Sequence, residues 1–203
     1  MQQASGQHKH AINLVWFKRD LRLTDHQPLL SAIEEGKPIL LLYVFEPSLL
    51  ADAHYSEKHW RFVWQSLEDI NAQLAPFNAS VTVMQGEIID VLEQLTADFE
   101  LEGIFSHEEV GMAITFARDR AVSAWCEQKE IPWNEYQHGA VIRGATNRVT
   151  WDKAWSKYMK APIETPDFSK AALLAYEHLR DLTLCQNRHG RRKSVACRQE
   201  VPP

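Results

Sequence analysis

Residues 12–45 read INLVWFKRDLRLTDHQPLLSAIEEGKPILLLYVF, and this stretch decides the fold. Ile12 to Phe17 is a compact apolar strand. Thr24 is placed to cap a helix running through Glu35, with Asp25 in its first turn and Gly36 just past its end. Pro38 to Phe45 is then apolar throughout, as a strand covered on both faces should be. A strand, a helix and a second buried strand in this order make one unit of a parallel sheet.

The pattern repeats along the chain. Ser56 caps a long helix to about Leu74, with Trp60, Val63, Trp64, Leu67 and Ile70 on one stripe. Ser80 to Met84 reads as a strand, Glu87 to Phe99 as a helix, Gly103 to Ser106 as a strand, Ala113 to Lys129 as a helix and Ile131 to Tyr136 as a fifth strand. Five such units predict a three-layer α/β/α sandwich with a five-stranded, parallel, Rossmann-like sheet in the order 3-2-1-4-5. Residues 138–150 break the pattern. An aromatic helix follows from Trp151 to Met159, then a helix from Ser169 to Arg180 and a basic tail. Residues 1–11 and the tail are expected to be disordered.

The chain has 203 residues, 45% hydrophobic and 24% charged, which fits one globular domain with an appendage and excludes coiled coil or collagen. Its longest apolar run, residues 39–45, falls far short of the ~20 residues of a membrane helix. Cys126, Cys185 and Cys197 form no CxxC pair, which points to a reducing, cytoplasmic setting. The net charge is −5. Residues 186–203 carry five bases against one acid, leaving residues 1–185 with 17 bases against 26 acids. Such an acidic body is a poor platform for a phosphate backbone.

Ligands of a doubly wound sheet sit beyond the carboxyl ends of the strands, where the strand order reverses. Here that is the crevice between strands one and four, bounded by residues 18–25 and 106–112 and overhung by 46–55. These loops gather Arg19, Asp20, Arg22, Asp25, His107, Glu108 and Glu109, as site groups or as ion pairs. No GxGxxG turn, Walker lysine or GxSxG elbow is present, and no histidine pair has metal-binding spacing, so no metal is expected.

Val15 to Asp25 (VWFKRDLRLTD) resembles the opening of the DNA photolyase/cryptochrome family, which runs W-F-R-x-D-L-R-x-x-D-N. Leu42 to Pro47, the Ser56 to Leu67 helix, Arg118-Asp119 with Val122, and Asn147 to Trp155 are similar to later family segments. Lys18 stands for the usual Arg and His26 for the usual Asn. The resemblance covers residues 12–165, with 166–203 as a linker-like helix and basic tail.

The resemblance implies the N-terminal antenna domain of a protein that repairs pyrimidine dimers with light or senses blue light. Catalytic residues, FAD and the DNA-binding surface would belong to a helical domain outside these residues, so the chain reads as a truncated fragment. That domain is the implied partner, and DNA is met only through it. The implied antenna is a deazaflavin, a flavin or, less well, a reduced folate, in the crevice or in the groove facing the helical domain. Folate-binding relatives have Asn-Glu where this chain has Ile114 and Thr115. Phe17, Phe45 and Phe105 could line the slot, with Arg19, Asp20, His59, Glu108 and Glu109 as polar anchors. Arg22, Asp25, Arg118 and Asp119 are motif residues expected to hold structure. A bare aromatic face near Trp151, Trp155 and Tyr158 predicts a homo-oligomer. Two other readings keep the fold: a universal-stress-like domain binding ATP or AMP, and an interaction module docking through Asn147 to Met159.

Overall fold

The computed structural model describes residues 9–144 and 149–174. The first eight residues, Asn147, and the expected helix and tail beyond residue 174 lie outside the described residues. The elements run β1 (His10–Phe17), α1 (Gln27–Glu34), β2 (Ile39–Phe45), α2 (Pro47–Leu50), α3 (Glu57–Leu74), β3 (Thr82–Gln85), α4 (Ile88–Asp98), β4 (Phe99–His107), α5 (Ala113–Lys129), β5 (Trp133–Tyr136) and α6 (Trp151–Met159). The five strands form one sheet in the order β3-β2-β1-β4-β5. Every strand pair is parallel, as the strand–helix alternation predicts.

Side chains alternate across β1 and β2 and so feed two cores. Ile12, Leu14, Trp16, Leu40, Leu42 and Val44 pack with Val91 and Leu95 of α4 and with Val122 and Trp125 of α5. Val15, Phe17, Ile39, Leu41 and Tyr43 pack on the other face with Leu29 and Ile33 of α1 and with Leu67, Ile70 and Leu74 of α3. With helices on both faces, β1 and β2 carry no solvated side, which explains why they are apolar but for His10 and the buried Asn13.

Four expectations give way to packing. β1 begins at His10, inside the segment expected to be disordered, because His10 and Ala11 pair with Phe99 and Glu100. α1 begins after His26, not Thr24: the His26 ring accepts from Leu29 N at 3.2 Å and caps the helix. Asp25 lies before that helix with φ 54°, a left-handed conformation that ends any first turn there. β4 extends back to Phe99, with Phe99 and Leu101 buried and Glu100 and Glu102 turned outward.

The fourth correction is the helix expected from Ser169. Phe168–Lys170 is a single 3₁₀ turn. Beyond it Ala172 O accepts from Ile39 N at 2.8 Å and Leu174 N donates to Ile39 O at 3.0 Å. The open N-terminal edge of β2 thus takes up backbone that helix propensity alone would have coiled.

Candidate functional site

The carboxyl ends of β1, β2 and β4 carry nearly all the buried charge. Lys18, Asp20, His26, Glu46, His107, Glu109 and Asp119 are all buried. They fall into two joined networks.

The first is built on Arg118, in the second turn of α5. Its guanidinium contacts Glu46, Glu109 and Asp119, each at 2.9 Å, and lies 4.9 Å from the centre of the Trp16 ring. Lys18 joins through Asp119 at 2.8 Å. Burial pushes the Lys18 ammonium below its ordinary pKa, against the pull of Asp119. Burial also raises Glu46, with Arg118 opposing the rise. Burial disfavours the charge of Arg118 too, but Asp119, Glu46 and Glu109 outweigh it and raise its pKa. Arg19 covers the network from outside, 3.3 Å from Glu109 and donating to the Tyr55 hydroxyl at 3.1 Å.

The second network surrounds Asp20. One carboxylate oxygen accepts from Lys18 N at 2.9 Å. The other takes a short hydrogen bond with His107 Nδ1 and lies 2.8 Å from His26 Nε2. Burial opposes the charge on Asp20, yet these two imidazoles hold its carboxyl well below the usual range. Burial also pushes His107 down. The His107 ring stacks edge-on against His26 at 4.7 Å and against His138 at 5.1 Å.

This packing leaves little space between β1 and β4. The cavity lined by Lys18, Arg19, Asp20, His107, Glu108, Glu109 and His138 has a volume of about 10 Å³, room for one water. A larger cavity of about 240 Å³ opens beside it. Its wall is aliphatic on one side (Leu49, Ile88, Ile89, Ile114, Ala121), with Glu46, Ser48, Glu87 and Arg118 as polar groups. The two cavities share the Arg118 network, since Glu109 borders the first and Arg118 the second.

A family model described as DNA photolyase matches residues 13–160. The chain belongs to the DNA photolyase family. A cryptochrome DASH of Gloeobacter violaceus is 31% identical over 102 residues, covering 48% of this chain and 20% of that protein. Cryptochrome-2 of Gallus gallus is 27% identical over 127 residues, covering 59% of this chain and 22% of that protein. The matched segments thus span about a fifth of these relatives. Among solved structures, a Synechocystis cryptochrome superposes with a TM-score of 0.68 at 21% identity, over 83% of this chain and 38% of that one. A Sulfolobus tokodaii photolyase superposes at 0.66 and 20% identity, over 82% of this chain and 39% of its own. It was solved with two FAD molecules and is described as implying a novel light-harvesting cofactor. Both structural likenesses show the fold.

Against this family frame, the expected site residues separate. Arg19, Asp20, Glu108 and Glu109 meet around the small crevice. Phe17 and Phe105 are buried in the α1/α3 core. Phe45 is half-buried between Tyr43, Trp60 and Trp64. His59 is exposed and accepts from Ser56 N at 3.0 Å, serving the start of α3. It reaches the crevice only indirectly, through the Tyr55 ring at 6.0 Å. Arg22 binds the carbonyls of Thr24 and Asp25 at 3.1 and 2.8 Å and so shapes the loop. The sequence reading missed Glu46, His26, His138 and Glu135, the last 4.0 Å from Lys18, as members. It also gave no metal set, because Asp20, His26 and His107 are brought together by the fold and not by local spacing. Their ligand atoms lie within 4.8 Å of one another.

Among the described residues no helix is long and apolar enough to cross a membrane.

Proposed function

We propose that this domain holds a planar light-harvesting chromophore and serves a flavin-bearing helical domain, whose activity is light-driven repair of pyrimidine dimers or blue-light signalling. The observation that carries the reading is the family match over residues 13–160. The description of the Sulfolobus tokodaii photolyase supports a flavin as the kind of group such a domain serves.

The chromophore seats in the cavity of about 240 Å³, close to the lower bound of roughly 300 Å³ for ligand sites. Its aliphatic wall suits a flat ring, and Arg118 and Glu46 can meet ring carbonyls and ring N–H groups. The crevice first expected to hold it takes no more than a water unless Arg19 swings off Glu109. Ile114, on the wall, lacks the polar groups a folate would need and favours a deazaflavin or flavin. DNA and the dimer are met through the partner domain, so the 203-residue chain alone repairs nothing. When bound, the chromophore supplies light absorption, and this chain's residues position it and exclude water.

Ile114→Trp tests the seat by filling the cavity. Flavin mononucleotide and a deazaflavin, each titrated against wild type and variant by fluorescence, should bind wild type and lose at least about tenfold in affinity in the variant. Equal binding by both would move the seat elsewhere. Binding of neither chromophore to wild type would overturn the antenna role.

A further inference from the structure

We propose that Asp20, His26 and His107 form a binding site for one divalent first-row transition-metal ion of the zinc type. All three side chains are buried, and their carboxylate oxygen and two imidazole nitrogens lie within 4.8 Å of one another. The independent observation is His26 Nε2. The His26 side chain has no exposed surface, and this nitrogen makes no hydrogen bond of good geometry. Asp20 Oδ2 lies 2.8 Å away but off the direction of the ring N–H. A buried polar atom left in this state is costly, and a cation between the three groups would satisfy it.

Local structure aims the ring. His26 caps α1, its Nδ1 accepting from Leu29 N at 3.2 Å, and this turns Nε2 toward Asp20. Two imidazoles and one carboxylate suit zinc, cobalt, nickel or iron better than calcium or magnesium, which favour oxygen donors. Zinc bonds of ~2.0–2.1 Å set tetrahedral ligands roughly 3.4 Å apart, so Asp20 must draw back from His26 by about 0.6 Å and further from His107, which it meets more closely. The adjoining cavity of about 10 Å³, between His107 and His138, has room for one water as a fourth ligand.

Metal entry moves protons within the rings. The His26 proton passes from Nε2 to Nδ1, and the His107 proton from Nδ1 to Nε2. No proton is lost, but His26 Nδ1 then carries a proton and can no longer accept from Leu29 N, so the cap bond breaks and Leu29 N–H loses this acceptor as the metal bond forms.

The test titrates cobalt(II) chloride into the chelator-treated 203-residue chain and follows the cobalt absorption bands. His26→Asn keeps a capping side chain at the start of α1 while removing the ligand, and His107→Gln removes the second. The expected result is one ion per wild-type chain, with affinity falling on the order of 100-fold in each variant. No binding by wild type, or equal binding by both variants, overturns the site. X-ray absorption of the wild-type zinc form makes the test independent of how the variants fold. Two imidazole ligands without sulfur support the site, and any other ligand set overturns it. Loss of exchange protection at the Leu29 amide on metal addition is also expected, and unchanged protection would contradict the tautomer shift.

Discussion

Replacing Arg118 with Met should expose how strongly the buried charge network depends on one guanidinium. The side chain is 11% exposed, while Glu46 and Glu109 are 2% and 1% exposed, so water is a poor replacement for the lost contacts. Met keeps much of the volume over Trp16 but leaves two buried carboxylates without their shared partner. Removing one side of a buried pair costs about 3–5 kcal/mol, or roughly 6–20 °C in melting temperature for a domain of this size. The cost should depend on pH. Burial raises the Glu46 carboxyl above its ordinary value of 4.5. A raised carboxyl holds its proton more tightly folded than unfolded, so its contribution to stability falls as pH climbs past that ordinary value. Without Arg118 the rise is larger, and the penalty should shrink between about pH 7.5 and about pH 5. Urea unfolding followed by tryptophan fluorescence at both pH values measures this directly. A penalty below about 1 kcal/mol, or one equal at both pH values, would refute the claim that the network is a dry, mutually dependent unit.

Further outcomes follow from other sites. A Cβ on Gly111 would meet the Arg19 guanidinium and sit 2.5 Å from Oε1 of the buried Glu109, so Gly111→Ala should cost about 1–3 kcal/mol, chiefly by displacing the Glu109 carboxylate, since the half-exposed Arg19 can swing away; a neutral melting curve would contradict this. Burial pushes the Cys126 thiol up to about 11, so peptide mapping after alkylation at neutral pH should find Cys126 unmodified in the folded chain and modified once urea is added. Trp151, Trp155, Met159 and Ile163 are exposed together with Val141 and Ile142, and light scattering should show association that rises with concentration; a constant monomer mass across the micromolar range would count against it.

The sheet was legible because burial on both faces writes itself into sequence as apolar runs, and Ile12–Phe17 and Ile39–Phe45 are such runs. The start of β4 was hidden because Phe99-Glu100-Leu101-Glu102 follows directly on an amphipathic helix and shares its composition. Its period of two, with Phe99 and Leu101 inward, was the available signal. The start of α1 misled because Thr24 and Asp25 are stronger caps by composition than His26, whose ring nitrogen does the capping. For the site, topology placed charge at the right strand ends, but not its pairing. Lys18 and Asp119 are 101 residues apart, and Asp20 and His107 are 87 apart. Local spacing carries no trace of such contacts. It could show neither that the crevice closes on itself nor that the roomier cavity lies beside Glu46.

The absorption spectrum of the purified chain, after incubation with flavin mononucleotide or a deazaflavin and removal of free ligand, tests the antenna reading most directly. The account predicts a visible band with one chromophore retained per chain and perturbed from its free spectrum, as a ring held against an aliphatic wall should be. A colourless protein with both chromophores would contradict it.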